Sequence, residues 1–314
     1  MIRSRLILLA AGLVLLSAAF LLWKLQEPTG FILSLRGSKL AVLICVGAAT
    51  GVATILFQTV AMNQLLTPGI VGFDALFVLL QTGLVAVLGG VGAALFPPMA
   101  QFLMETALLM GAALLLFGGL LRRGAGDVTR VILTGVILGM LLRGLTEVVQ
   151  RMLDPADFAI VQQAMFASFS RVSTPQLWTG GGVIGGALAV ALWLAPALDV
   201  AGLGRSTARS LGLAHDRVVL IALGLVAALV SVSTALVGPL TFLGLLSASL
   251  ARQVLQTHRH DALIPAAALI GATILVAGQF VFERLLASQS ALAVIVEFFG
   301  GLLFLFLVFR RKPS

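Results

Sequence analysis

Seven ionisable side chains stand inside apolar stretches of the chain: Asp74, Glu105, Arg143, Glu147, Glu283, Arg284 and Glu297. Each would cost about 2.5–3.5 kcal/mol at the centre of a bilayer if isolated. Arg143 and Glu147 are four residues apart, so on a helix they share a face and neutralise each other. The others do not form the ladder of Asp, Glu and His that marks a proton-driven carrier. His215, His258 and His260 all fall in polar intervals. The run His258-Arg259-His260-Asp261 has donors for a metal, but it reads as a solvated loop and no metal site is expected. Cys45 is the only cysteine and lies in an apolar run, which excludes an intrachain disulfide and a thiolate cluster. No Ser/His/Asp arrangement argues for an intramembrane enzyme. No G-x-x-x-x-G-K-[ST] phosphate loop is present, so the chain is not itself a nucleotide-hydrolysing motor.

The other concentration of chemistry is a polar interval, Leu198–Arg217, set between two strongly apolar segments. It carries Arg205, Arg209 and Arg217, with Asp199 and Asp216 near its ends. Gly202, Gly204 and Gly212 bracket Arg205–Leu211, a run that suits about two turns of helix. Ser206 or Thr207 is placed to cap its start, and Gly212 to take the left-handed position after its end. A short basic helix between membrane spans is a handle for a soluble partner; the alternative is an ordinary charged loop.

The elements that hold these residues follow from composition. The chain is 60% hydrophobic and 10% charged, too little polar surface to cover a water-soluble globule. Apolar runs of about 20 residues recur along its length, each able to cross a bilayer. The expectation is an all-α polytopic membrane protein, residues 1–314 forming one transmembrane domain with no soluble domain. Ten spans are expected: Leu6–Trp23, Leu40–Ala61, Pro68–Leu88, Met99–Leu121, Val128–Val149, Gln176–Ala197, Val218–Val237, Leu240–Leu255, Ala262–Leu286 and Val294–Phe309. Phe158–Ser173 is apolar but short, and reads as a re-entrant or interfacial helix. Glycine pairs at 135/139, 181/185 and 182/186 allow close helix packing.

Ten spans put both termini on one side. That side then holds 13 of the 20 Lys and Arg, against 7 on the other, which places the termini and Leu198–Arg217 in the cytoplasm and Lys24–Lys39 outside. The net charge of +8 is therefore a topology signal, and no nucleic-acid partner is expected.

Three stretches together resemble a known family. Leu35–Leu80 is similar to a pattern of a basic pair followed by Q-x-x-x-x-N-P-L-x-x-P-x-x-x-G, matched by Arg36, Lys39, Gln58, Asn63, Leu65, Pro68 and Gly72. Gly202–Leu213 is similar to L-G-x-x-x-A-x-x-L-G, matched by Leu203, Gly204, Ala208, Leu211 and Gly212. Gly238–Arg252 is similar to G-P-I-x-F-x-G-L-x-x-P-H-x-x-R, matched by Gly238, Pro239, Phe242, Gly244, Leu245 and Arg252. The family is the FecCD-type permeases of ABC importers for iron chelates and vitamin B12. Gln64 stands in place of a proline, Asp74 in a segment that is usually small and neutral, and Ala248-Ser249 in place of Pro-His. These departures resemble one member of the paired permeases that serve ferric siderophores.

The resemblance implies a BtuC-like, type II importer permease fold in the bacterial cytoplasmic (inner) membrane. It implies a cytoplasmic ABC ATPase that carries ATP-Mg, a second related permease subunit, an extracytoplasmic substrate-binding protein, a ferric siderophore cargo and a lipid surround, with no cofactor bound by this chain. Arg205, Ser206, Thr207, Arg209, Leu211 and Gly212 would couple to the ATPase. Arg36, Lys39 and Arg284 would dock the binding protein. Phe166, Ser168, Ser170, Gly244, Ser247 and Ser249 would line the pathway. The alternatives are a permease for vitamin B12 or haem, an ion-coupled secondary transporter, and a structural or assembly membrane protein.

Overall fold

In lipid each backbone group must be satisfied within the protein, so long apolar runs become helices. The computed structural model describes residues 2–24, 28–124, 128–285, 296, 298 and 300–302. Within them lie α1 (Ile2–Leu22), α2 (Thr29–Val60), a 3-10 turn (Gly69–Val71), α3 (Phe73–Leu95), α4 (Pro98–Gly124) and α5 (Val128–Gln150). There follow α6 (Pro155–Ala164), α7 (Thr174–Trp193), α8 (Ala195–Ala201), α9 (Arg205–Ser210), α10 (His215–Val237), α11 (Leu243–Leu255), α12 (His260–Phe280) and a π-helical turn (Val281–Leu285). Eight of these helices are long and apolar enough to cross a membrane.

The core is built on α2, flanked by α10, α11 and α12. Glycine sets the closest approach. A Cβ on Gly47 would lie 2.6 Å from the Gly271 carbonyl oxygen and from the Ala272 nitrogen. Within a bilayer this backbone contact supplies dispersion that lipid-like side chains cannot. Gly135 and Gly139 of α5 receive Val71 and Gly72 in the same manner. Of the glycine pairs expected to pack α7, Gly181 faces Cys45 of α2, a Cβ there lying 3.8 Å from its Sγ, while Gly182, Gly185 and Gly186 face open space; the contact to Val232 and Leu236 of α10 is made by Gly180.

Two elements start partway across the bundle. Gly72 (φ 112°) turns the chain into α3 beside the middle of α5. Gly238 (φ 102°) ends α10, and Pro239, which has no N–H, delays the next helix until Leu243. The expected eighth span is consequently α11, with 13 residues, or about 20 Å, too short to cross alone.

Other boundaries differ for identifiable reasons. α2 begins at Thr29, not Leu40, because the charges of Arg36 and Lys39 find partners inside the protein. The short apolar segment forms α6 over Pro155–Ala164, leaving Phe166, Ser168 and Ser170 in the following loop. α3 kinks at Gly89, and the Gly90 N–H beyond the kink donates to Asp157 Oδ1 of α6 at 3.0 Å. The expected tenth span, Val294–Phe309, with Glu297, falls outside the described residues except for 296, 298 and 300–302.

Candidate functional site

α9 is a braced knob at one end of the bundle. Gly204 (φ 94°) turns the chain out of α8 and Gly212 (φ 82°) turns it toward α10, the left-handed position expected for Gly212. Ser206 and Thr207 do not cap the helix: Gly204 occupies the N-cap, and both residues lie inside α9 with exposed side chains. Arg205 Nε and Nη2 each donate to the Asp216 carboxylate at 3.2 Å, and Arg209 Nη2 donates to the same group at 2.6 Å. One half-exposed aspartate thus ties α9 to the first turn of α10. Ala208 is fully buried beneath, while Leu203 and Leu211 are 56% and 63% exposed. The result is a short helix with an exposed leucine at each flank, hydroxyls from Ser206, Thr207 and Ser210, and guanidinium edges outward, held from below by a small residue.

Arg5 Nη1 donates to the Val254 carbonyl at 2.5 Å, which puts the start of α1 at the same end as the end of α11. The motif residues gather there too. Asn63 Oδ1 accepts from the Leu65 N–H at 3.0 Å in an Asx turn. Gln58 Nε2 donates to the Gln64 carbonyl at 2.6 Å, and Arg252 Nη2 donates to Gln58 Oε1 at 3.3 Å. This motif therefore shapes the chain between α2 and α3. His260 is no loop residue: it opens α12, is 5% exposed, and contacts Thr59 and Asp199. Arg259 pairs with Asp261 at 2.6 Å, so the His-Arg-His-Asp run points in two directions.

Midway across, a cavity of about 400 Å³ opens between α3, α5, α6 and the loop before α11. Asp74, Arg143, Glu147, Gln162, Phe166 and Thr241 are among its walls. The Thr241 hydroxyl donates to Asp74 Oδ2 at 2.6 Å, joining the two interrupted elements. Of the residues expected along a pathway, Phe166 lines this cavity. Gly244 faces Thr50 and Thr54 of α2, and Ser247 is fully buried with its hydroxyl donating to the Leu243 carbonyl at 2.8 Å. Neither lines open space in this chain. Ser249 is half-buried on α11. The Ser168 N–H donates to the Val237 carbonyl at 2.7 Å, and the exposed Ser170 accepts from Lys39 Nζ at 2.8 Å. The sequence does not single out this polar wall, because Arg143 and Glu147 read as a self-neutralising pair; Asp74 in a neutral segment is the available signal.

At the end opposite α9, the expected docking charges are already engaged. Arg36 is 9% exposed, and its Nη1 donates to the carbonyls of Leu21 and Trp23 at 2.7 and 2.9 Å. It closes the C-terminus of α1, whose last carbonyls have no helical partner. That differs from an exposed rim charge. Lys39 pairs with Glu283, which also accepts from Gln279 Nε2 at 2.7 Å. Arg284 lies 5.9 Å from the centroid of the Phe20 ring, a cation–π contact.

An all-helical, multi-span membrane protein with interrupted helices around a polar cavity belongs to the transport class. Residues 4–310 match the FecCD transport family, and the chain is a member of that family. It is 35% identical over 309 residues to the petrobactin import system permease protein YclO of Bacillus subtilis, covering 98% of each chain. It is 32% identical over 273 residues to the petrobactin import system permease protein FatC of Bacillus anthracis, covering 86% of this chain and 76% of the relative. A solved inward-facing metal-chelate type ABC transporter superposes with a TM-score of 0.85 over 99% of this chain and 100% of the other, at 22% identity, which establishes likeness of fold.

Proposed function

We propose that this chain is one permease subunit of an ATP-driven importer of ferric siderophores in the bacterial cytoplasmic membrane. α9 seats on a cytoplasmic ABC ATPase that holds ATP-Mg, and a second related permease completes the pathway. A substrate-binding protein delivers the chelate from outside. The observation that carries the coupling role is the α9 knob: it is exposed, basic, and locked to α10 through Asp216. Its end of the bundle also holds Arg5, Arg217, Arg252 and Arg259, as the positive-inside bias requires of a cytoplasmic face. The siderophore class is supported by the petrobactin permease relatives.

The cavity walled by Asp74, Arg143, Glu147 and Phe166 is the pathway surface contributed by this chain. Lys39 and Arg284 remain the candidate edge contacts for the binding protein, while Arg36 holds the end of α1. The testing experiment is co-purification from native membranes in mild detergent. Recovery of an ABC ATPase with a second, different permease supports the heteromeric importer. Recovery of no ATPase, where a control importer keeps its own, overturns it.

A further inference from the structure

α9 is joined to the bundle on one side by its ion pairs to Asp216 of α10 and on the other by α8, and among the described residues Asp199 is the polar side chain that ties α8 to the core. The Asp199 carboxylate accepts from two groups of His260: the backbone N–H at 2.8 Å and the ring Nδ1 at 2.6 Å. Asp199 thereby caps α12 from a different helix, serving one of the N–H groups that a helix start leaves unpaired. The other ring nitrogen, Nε2, lies 2.6 Å from Thr59 Oγ1 in the last turn of α2. The hydroxyl also reaches the Ile55 carbonyl at 2.9 Å, so Thr59 stays hydrogen-bonded whichever way its proton points. A single buried imidazole thus links α8, α12 and α2.

The other contacts that hold α8 are apolar. Ala195, Leu198 and Ala201 are its buried residues, and such contacts resist separation more than they resist sliding. The hydrogen bonds from His260 to the Asp199 carboxylate are short, charge-assisted and directional, and so fix position. α8 runs into α9 with little slack, since the Gly202 N–H donates to the Leu198 carbonyl at 2.9 Å and the Gly204 N–H to the Ala201 carbonyl at 3.1 Å. On the far side of the joint, α2 and α12 are in backbone contact at Gly47 and Gly271. They meet again at the opposite end of the bundle, where Lys39 pairs with Glu283 just beyond α12.

We infer that the Asp199–His260–Thr59 cluster is the joint through which a displacement of α9, passed along α8, reaches α12 and the last turn of α2, beside the route through Asp216 and α10. His260 is a positioning residue for transport, and the inference rests on the importer reading above. Loss of the tie lets α8 slide, so ATP is hydrolysed without a matching movement of the permease. Losing a charge-assisted bond at such a joint lowers coupling about tenfold or more.

The test uses the full importer in proteoliposomes: this chain, its partner permease, the ATPase, and the binding protein loaded with ferric petrobactin. Uptake and ATP hydrolysis are read together. For His260→Ala, uptake per ATP falls about tenfold, while hydrolysis and ATPase retention stay near wild type. His260→Asn keeps a donor close to the Nδ1 position without the link to Thr59 and recovers part of the lost uptake, and Asp199→Asn, which keeps the acceptor without its charge, is likewise intermediate. Wild-type uptake per ATP in His260→Ala overturns the joint. So does a parallel fall in uptake, hydrolysis and ATPase retention that His260→Asn fails to rescue, because that pattern describes a folding role. Absence of uptake by the wild-type complex for every ferric chelate tried would instead overturn the importer reading.

Discussion

Gly47→Ala tests the packing on which every site in the bundle depends. The added Cβ would lie 2.6 Å from three backbone atoms of α12: the Gly271 carbon and oxygen and the Ala272 nitrogen. Ordinary contact needs about 3.4 Å, and backbone cannot rotate away as a side chain can, so the helices must part by roughly 0.8 Å. A gap of that size forfeits about a quarter to a half of the dispersion at each contact it opens. The expected cost is about 1–3 kcal/mol, the usual penalty for overpacking. Gly182→Ala is the matched control, since nothing lies within 4 Å of the added methyl group. Thermal midpoints of the two variants in detergent, read by size-exclusion fluorescence, are the assay. Gly47→Ala should melt several degrees below wild type and Gly182→Ala within error of it. Equal midpoints for both variants would refute the glycine-crossing argument.

Arg205→Glu with Arg209→Glu places two acids beside Asp216. Because these pairs are exposed, folding and insertion should change by no more than about 1 kcal/mol, while siderophore uptake is lost; normal uptake removes α9 from the ATPase interface. Arg36→Met leaves the Leu21 and Trp23 carbonyls unpaired, so the thermal midpoint should fall by the equivalent of about 1–3 kcal/mol, with binding-protein affinity at low salt unchanged. A weakened affinity with an unchanged midpoint would restore Arg36 to the docking surface. Asp74→Leu with Glu147→Leu removes both acids from the cavity wall and leaves the Arg143 charge without them, and should slow uptake about tenfold, with the binding protein holding its chelate as before; unaltered uptake would move the pathway elsewhere.

Most spans were legible because hydropathy over about 20 residues leaves helix as the only structure lipid allows. The early start of α2 was not. Arg36 and Lys39 look like loop charges until their partners are known, and those lie 15 residues back at Leu21 and 244 residues ahead at Glu283. Glycines with a left-handed demand were readable at Gly212, where the flanking pattern is local. The start of α9 was misread because Gly204 leaves the helix without a side-chain cap, although Ser206 and Thr207 have the right chemistry for one. His260 was hidden in a polar run, since its inward turn depends on Asp199, 61 residues earlier. Asp74 is visible as an oddity, but its partner Thr241 lies 167 residues further along the chain.

The central claim is tested most directly by uptake of a panel of ferric siderophores into proteoliposomes that hold this chain, the proposed second permease and the ATPase, with binding protein outside and ATP inside. Uptake that requires ATP, stops when hydrolysis is blocked and survives collapse of the ion gradient is the result the account predicts. Uptake that persists without ATP and vanishes with the gradient would contradict it.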